Sequence, residues 1–575
     1  MKQFKYISLA SLSTLMLLTG CYDLDKYPND QLSSGTFWTS QDDADMAMAA
    51  VYAEMQENDV MGCYFGLDCL GSVGWGSGTY GYNSVAKGTY TSSTSIVYNK
   101  WTGLYEGIAR ANIVLQNVDK CDMSDELKAQ YKGEAKFMRA FYYFQLLDIY
   151  GGVPIYDESV VVSQSFSEML LPRNTADEVR QFIYSDLDAA IAVLPNEGEW
   201  SSSNHGRATK TAAQALKGKT YLYAKDYANA AKMFEAVVNS GLHKLNDSYA
   251  ELFKPYGYGV GDCDESSELI FSIQNIGGVG LDYGMPMDFY MGTRSSYGSC
   301  WNSVMPATDF VDTYEWKDGR AFDWDEVFPG YNESNDVKKA VFESTLTSDG
   351  SAVATYPAEK DKLLAMYEQR DPRMAATVIL PYTEYLGWVS NAEKTCEFVL
   401  ASGTKEGNGF IRLDNAWYSY VFRKFVAEGN FNGLINNRAD TPINFPIIRY
   451  ADVLLMLAEC YNEQGEPLKA VPYINQVRAR VGMPGLNSGE ANLVATTQEQ
   501  VRKRIVLERG WEFAGEGLSF SDYKRWGRLE ELNREMKDIV GATKYSRVVQ
   551  SRDYLWPIRQ SELDKNPNLE QNPGW

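Results

Sequence analysis

The sequence predicts a mostly α protein: a helical scaffold that carries a second lobe, loop-rich and partly β. Three observations lead there. Long stretches repeat apolar residues every three or four positions. Two such stretches share one helix–turn–helix spacing. Between those two runs a Gly-, Tyr- and Trp-rich region with only short strand-like segments.

The helices come first. In "EAKFMRAFYYFQLLDIYGGVP", Ala135, Met138, Phe141, Tyr142, Leu146 and Ile149 share one face, and Gly151, Gly152 and Pro154 stop the helix. "TADEVRQFIYSDLDAAIAVLP" opens with Thr175 before Glu178, a capping box, and ends at Pro195. Gly218, Tyr221, Ala230 and Phe234 are spaced 3, 9 and 4 apart, and Ala458, Tyr461, Ala470 and Ile474 repeat that spacing. The turns fall at "KDY" (225–227) and "QGEP" (464–467). This pattern is tetratricopeptide-like: small residues let two helices approach and aromatics fill the gap. Such stacks more often support or bind than catalyse.

The other regions read as ordered loops. Residues 255–440 hold strand-like runs such as "ELIFSIQ" (268–274), and residues 60–100 are similar in character. Their aromatics bury too much surface for disorder, and long ordered loops are where recognition residues usually sit.

The N-terminus has its own logic. Lys2 and Lys5 precede an apolar run from Ile7 to Leu18, then Leu18-Thr19-Gly20-Cys21. That is a secretory signal, too short to span a bilayer comfortably. Its end is similar to a bacterial lipobox, which makes Cys21 the lipidation site; acyl chains on its sulfur would anchor the protein to a membrane. The expected organisation is a signal peptide at 1–20, a lipidated tether at 21–36 and a helical region at 37–254 with an aromatic loop at 60–100. A ligand-binding lobe at 255–440 follows, and a helical region at 441–575 completes the scaffold.

Composition narrows the function. Of 575 residues, 54 are basic and 76 acidic, a formal net charge of −22. Such a surface repels phosphate backbones, so no nucleic-acid partner is expected. Two histidines, His205 and His243, and eight scattered cysteines without a CxxC pair supply no metal site and point to no cofactor. Cys63 and Cys69 are either a small-loop disulfide or two buried thiols.

Two motifs fit a bland reading better than a catalytic one. "AQALKGKT" (213–220) matches a relaxed phosphate-loop pattern, yet the stretch before it is helical where that loop needs a strand. The carboxylates at Asp262-Asp264-Glu265 and Asp323-Asp325-Glu326 could serve a glycosidase or calcium, but acids clustered in so acidic a chain read first as solvated loops.

The aromatic loops carry more. Trp75, Tyr80 and Tyr82 lie among glycines expected to hold rings clear of the core, as do Tyr283, Tyr290, Tyr297 and Trp301 in "LDYGMPMDFYMGTRSSYGSCWN". An exposed flat ring suits the C–H face of a sugar, and Asp68, Asn83, Arg294 and Asn302 are the polar candidates for its hydroxyls.

Taken end to end, the chain resembles the SusD/RagB family of surface lipoproteins from Bacteroidetes. The resemblance rests on "CYDLDKYPND", "FWTSQDDADMA", "WTGLYEGIARANIVLQNV", "GEAKFMRAFYYFQLLDIYGGVP" and "GRATKTAAQALKGKTYLY". It continues through "QRDPRM", "PIIRYADVLLMLAECYNEQG", "IVLERGWEFAGEGLSFSDYKRWG" and "LWPIRQSELDKNPNLEQNPGW". It implies a non-catalytic glycan-binding lipoprotein, lipid-anchored and exposed at the cell outer membrane. It also implies a SusC-like TonB-dependent transporter as partner and an oligosaccharide or polysaccharide as ligand. Asp23 and Asp25 are similar to the family's surface-export signal. Peptide binding, a surface glycoside hydrolase, or a lid with no ligand are the rival readings.

Overall fold

The computed structural model describes residues 37–575 apart from 79–80, 161–168, 261–262, 279–282, 405–408 and 414–417. The expected signal peptide, the expected tether with Cys21, and Tyr80 and Asp262 therefore lie outside the described residues. What is described is mostly helical, with small antiparallel strand pairs scattered through it.

Helix α1 (Gln41–Ala53) starts from a capping box in which Ser40 and Asp43 satisfy each other's backbone N–H groups. Strand β1 (Gly74–Gly76) follows, then helices α2 (Ser95–Asn117) and α3 (Asp125–Tyr150). Gly151 ends α3 with φ +77°, a left-handed value that costs glycine little. Helix α4 (Ala176–Val193) has the expected Thr175/Glu178 capping box.

Helices α5 (Lys210–Tyr223) and α6 (Tyr227–Asn239) form the first helix–turn–helix pair. Strand β2 (Leu269–Ile273), short helix α7 (Met287–Met291), strand β3 (Val304–Pro306) and the hairpin β4 (Glu384–Val389)–β5 (Ala392–Glu397) belong to the loop-rich middle. Strand β6 (Phe445–Arg449) leads into α8 (Tyr450–Glu463) and α9 (Pro467–Arg480), the second pair. Helices α10 (Gln498–Phe513) and α11 (Ser519–Arg525) and hairpin β7 (Arg534–Lys537)–β8 (Thr543–Arg547) complete the frame. Every sheet among the described residues is an antiparallel pair, including β1–β3, β2–β6, β4–β5 and β7–β8.

Gly218 marks a close approach of the first pair's helices. Helix α6 packs on both α5 and α8. A Cβ on Gly218 would lie 2.6 Å from a ring carbon of Phe234. Gly218→Ala should therefore cost about 1–3 kcal/mol by overpacking, seen as a lower melting temperature. The phosphate-loop match dissolves here: Gly218-Lys219-Thr220 lie inside α5, and the Lys219 ammonium sits 3.4 Å from Asp452.

A buried ionic network ties the helices to the middle region. Arg449 at the end of β6 reaches Glu268 (2.8 Å), Glu512 (2.7 Å) and Glu516 (2.8 Å). Arg373 reaches Asp371 (2.7 Å), Glu508 (3.0 Å) and Glu512 (3.3 Å), and Arg480 pairs with both Glu268 and Glu512. These side chains are almost fully buried, so each charge depends on its partners in place of water.

Both remaining sequence questions have structural answers. Cys63 and Cys69 are two buried free thiols. Asp323 caps a short helix and, with Asp325, accepts from the Asn332 amide (2.8 and 2.9 Å). Among the described residues no group of His, Cys, Asp or Glu is arranged to hold a metal ion, and no helix is long and apolar enough to cross a membrane.

Candidate functional site

The segment carrying Trp75 and the segment carrying Trp301 meet. Strands β1 and β3 pair with Trp75 opposite Met305, and Ser77 N–H extends the ladder to the Ser303 carbonyl (2.9 Å). The Ser77 hydroxyl also donates to the Asn302 carbonyl (3.2 Å). Beside this seam opens a groove of about 630 Å³. Tyr82, Tyr290, Arg294 and Trp301 line it together, with Asn58, Asp59, Ser77, Ile96 and Ser303. Four of the predicted residues, from segments two hundred positions apart in the chain, thus share one cavity.

Trp301 is the ring best placed to act. It is 41% exposed, and Phe289 supports it at a centroid distance of 4.5 Å. The Arg438 guanidinium lies 4.7 Å from Phe289 and 5.8 Å from Trp301, and it donates to the carbonyls of Gly298 (2.9 Å) and Ser299 (2.6 Å). The indole is thereby braced from behind and open in front. Tyr290 sits on α7, half-buried, against Phe289 at 4.8 Å. Burial raises the phenol pKa of Tyr82 and Tyr290, so both stay protonated as neutral hydrogen-bond donors. Asp288 anchors α7 from below: it accepts from Ala427 N–H (3.0 Å) and the Cys300 thiol (3.3 Å). Burial pushes its carboxyl up to about 7.

Other predicted residues are buried or lie outside the groove lining. Trp75 is buried, packed near Tyr545 of β8 at 6.1 Å. Its flanking glycines serve close packing and do not hold the ring in solvent: a Cβ on Gly76 would lie 2.3 Å from Asn83, and one on Gly74 would lie 3.1 Å from the Asp68 carbonyl. Asn83 is buried and closes the turn by donating to Gly78 O (2.8 Å). Asp68 is fully buried and accepts from Gly515 N–H (2.7 Å). Asn302 is buried too, its N–H donating to Gly292 O (2.7 Å). Tyr82 lines the groove although little of its surface is open. Tyr283 is half-exposed, but it pairs with Ile276 away from the groove lining. Tyr297 is half-buried against Trp388 at 5.6 Å.

Sequence reasoning missed Asn58 and Asp59 at one rim, Phe289 and Arg438 behind Trp301, and Trp388. The polar "END" at the entrance to the 60–100 loop was a usable signal; nothing local pointed to Arg438.

The C-terminal part fixes the segment that leads into β1. Arg547 of β8 donates to the carbonyls of Cys69 (2.8 Å), Gly71 and Gly74 (2.8 Å), and Ser519 of α11 bonds Ser72 N–H (2.9 Å). The segment is held by Arg547 and Ser519 together, which favours a preformed site.

Comparison with known proteins places this architecture. The SusD family model matches residues 267–575, and a second, described as starch-binding and associating with the outer membrane, matches 24–222. SusD-like protein P25 of Formosa agariphila is 25% identical over 96% of this chain and 96% of its own. The starch-binding protein SusD of Bacteroides thetaiotaomicron is 26% identical over 79% of this chain and 74% of its own. The crystal structure of a SusD-like protein from Bacteroides fragilis, 22% identical, covers 96% of this chain and all of its own with a TM-score of 0.73. With more than half of its length matched by the family model and the same fold in a solved relative, this chain belongs to the SusD family, whose members are non-catalytic.

Proposed function

We propose that the protein captures oligosaccharide or polysaccharide at the outer cell surface, in the groove beside the β1–β3 seam. One observation carries the reading: Trp301 stands open on a braced ledge beside a groove that also offers Arg294, Asp59 and the half-buried Tyr290. A flat indole face with polar groups converging beside it fits a pyranose, apolar on its faces and hydroxylated at its rim. A starch-binding relative supports the same ligand class. In this reading the tetratricopeptide-like scaffold holds the loop-rich lobe, acyl chains on Cys21 hold the whole at the outer membrane, and a SusC-like TonB-dependent transporter receives the glycan.

The test is retention on gels containing glucan, xylan, mannan, galactan or polyuronate, followed by calorimetry on whichever slows the protein. Trp301→Ala should weaken binding by about tenfold or more, as loss of a central aromatic anchor does. Retention by none of these polymers, with saturable binding to a peptide library instead, would replace the glycan reading by a peptide one. Sugar release from a polymer by the purified protein would overturn it altogether.

A further inference from the structure

We infer that Tyr297 and Trp388 form a second stacking platform beyond the groove, so that the site takes an extended glycan chain and discriminates by length; this rests on the glycan-binding reading above. The two rings lie 5.6 Å apart at 42°, a shallow corner and not a flat stack. Trp388 owes its position to strand alternation. In β4, Tyr385, Gly387 and Val389 face inward and are buried, while Leu386 and Trp388 point the other way and are half-buried.

The hairpin that carries Trp388 is pinned along the outer edge of β4, away from β5. Trp388 N–H donates to the Ser295 carbonyl (2.8 Å), and Gly429 N–H donates to the Leu386 carbonyl (2.8 Å). The first contact demands glycine at 387, where a Cβ would lie 2.5 Å from Ser295 O. The anchor point is one residue from Arg294, which lines the groove. Tyr297 and Trp301 are four residues apart on the same tight turn, whose carbonyls at 298 and 299 Arg438 holds. The turn that carries Tyr297 and Trp301 and the hairpin that carries Trp388 are therefore fixed to one another through the backbone. A ring fixed before binding loses little freedom on contact, so a second platform adds affinity for any chain long enough to reach it.

The experiment compares the parent with Trp388→Ala and Trp388→Phe. The probes are short-oligosaccharide and long-chain fractions of whichever gel-panel polymer retains the parent, titrated by calorimetry. The anchoring hydrogen bond comes from the backbone, so the hairpin should survive truncation; circular dichroism and melting temperature check this. Trp388→Ala should weaken the long-chain fraction by about tenfold and leave the short one unchanged, with Trp388→Phe near the parent. Equal binding of every length by Trp388→Ala and the parent would overturn the platform while leaving the groove reading intact. So would an equal loss at every length. A parent retained by no polymer would remove both readings together.

Discussion

Glu512→Ala should destabilise the protein by about 3–5 kcal/mol, or prevent its folding, because it strips the shared partner from three buried guanidinium groups. Glu512 is fully buried between Arg480, Arg449 and Arg373. Burial by itself would raise its pKa, but the three arginines outweigh burial and hold the carboxyl well below the usual range. Removing it leaves charges in a place water cannot reach, so the loss far exceeds that of an exposed pair. Urea unfolding followed by tryptophan fluorescence reads the effect. A variant within about 1 kcal/mol of the parent would mean that the network relaxes or admits water.

Asp68→Asn should act in the opposite direction. Burial raises the Asp68 carboxyl from an ordinary 3.8 to about 7, only partly offset by backbone N–H groups of Gly515 and Gly517. The sign follows from proton uptake. Below the unfolded pKa both states hold the proton, and the group's contribution is fully present. As pH rises towards 7, the unfolded chain releases a proton that the folded chain keeps, so stability falls. With the folded carboxyl held near 7 against an ordinary 3.8, that loss is roughly 4 kcal/mol. Asparagine keeps an acceptor for Gly515 N–H and cannot ionise. The variant should match or exceed the parent at pH 7.5 and lose less stability between pH 4 and 8. Parallel pH profiles for the two proteins would show that Asp68 is already ionised in the fold.

What was legible in the sequence was local. The Thr175 capping box, the Gly151 stop and the Gly218–Phe234 contact all sit within a few turns of chain, where spacing fixes geometry. The ionic network was not legible, since Glu268, Arg373, Arg449 and Glu512 come from four separate segments. It does explain part of the family resemblance: "QRDPRM", "PIIRY" and "ERGWEFAGEG" supply much of it, so those motifs report a shared frame. Glycine was the ambiguous signal at the site. Beside Trp75 it marked a close backbone approach, and in "SSYGSCW" it preceded a ring that stands in solvent. The two cases look alike until the neighbouring chain is known.

The grip of Arg547 on residues 69–74 bears on how the molecule is made. Those partners are 473 to 478 positions apart, so the segment leading into β1 cannot be fixed until nearly the whole polypeptide has emerged. Bringing such distant ends together is entropically slow, while helix pairs such as α5–α6 can form early from local contacts. A chain that stops short of β8 would lack the guanidinium that gathers these three carbonyls, which makes the order of the 69–74 segment a late step in folding.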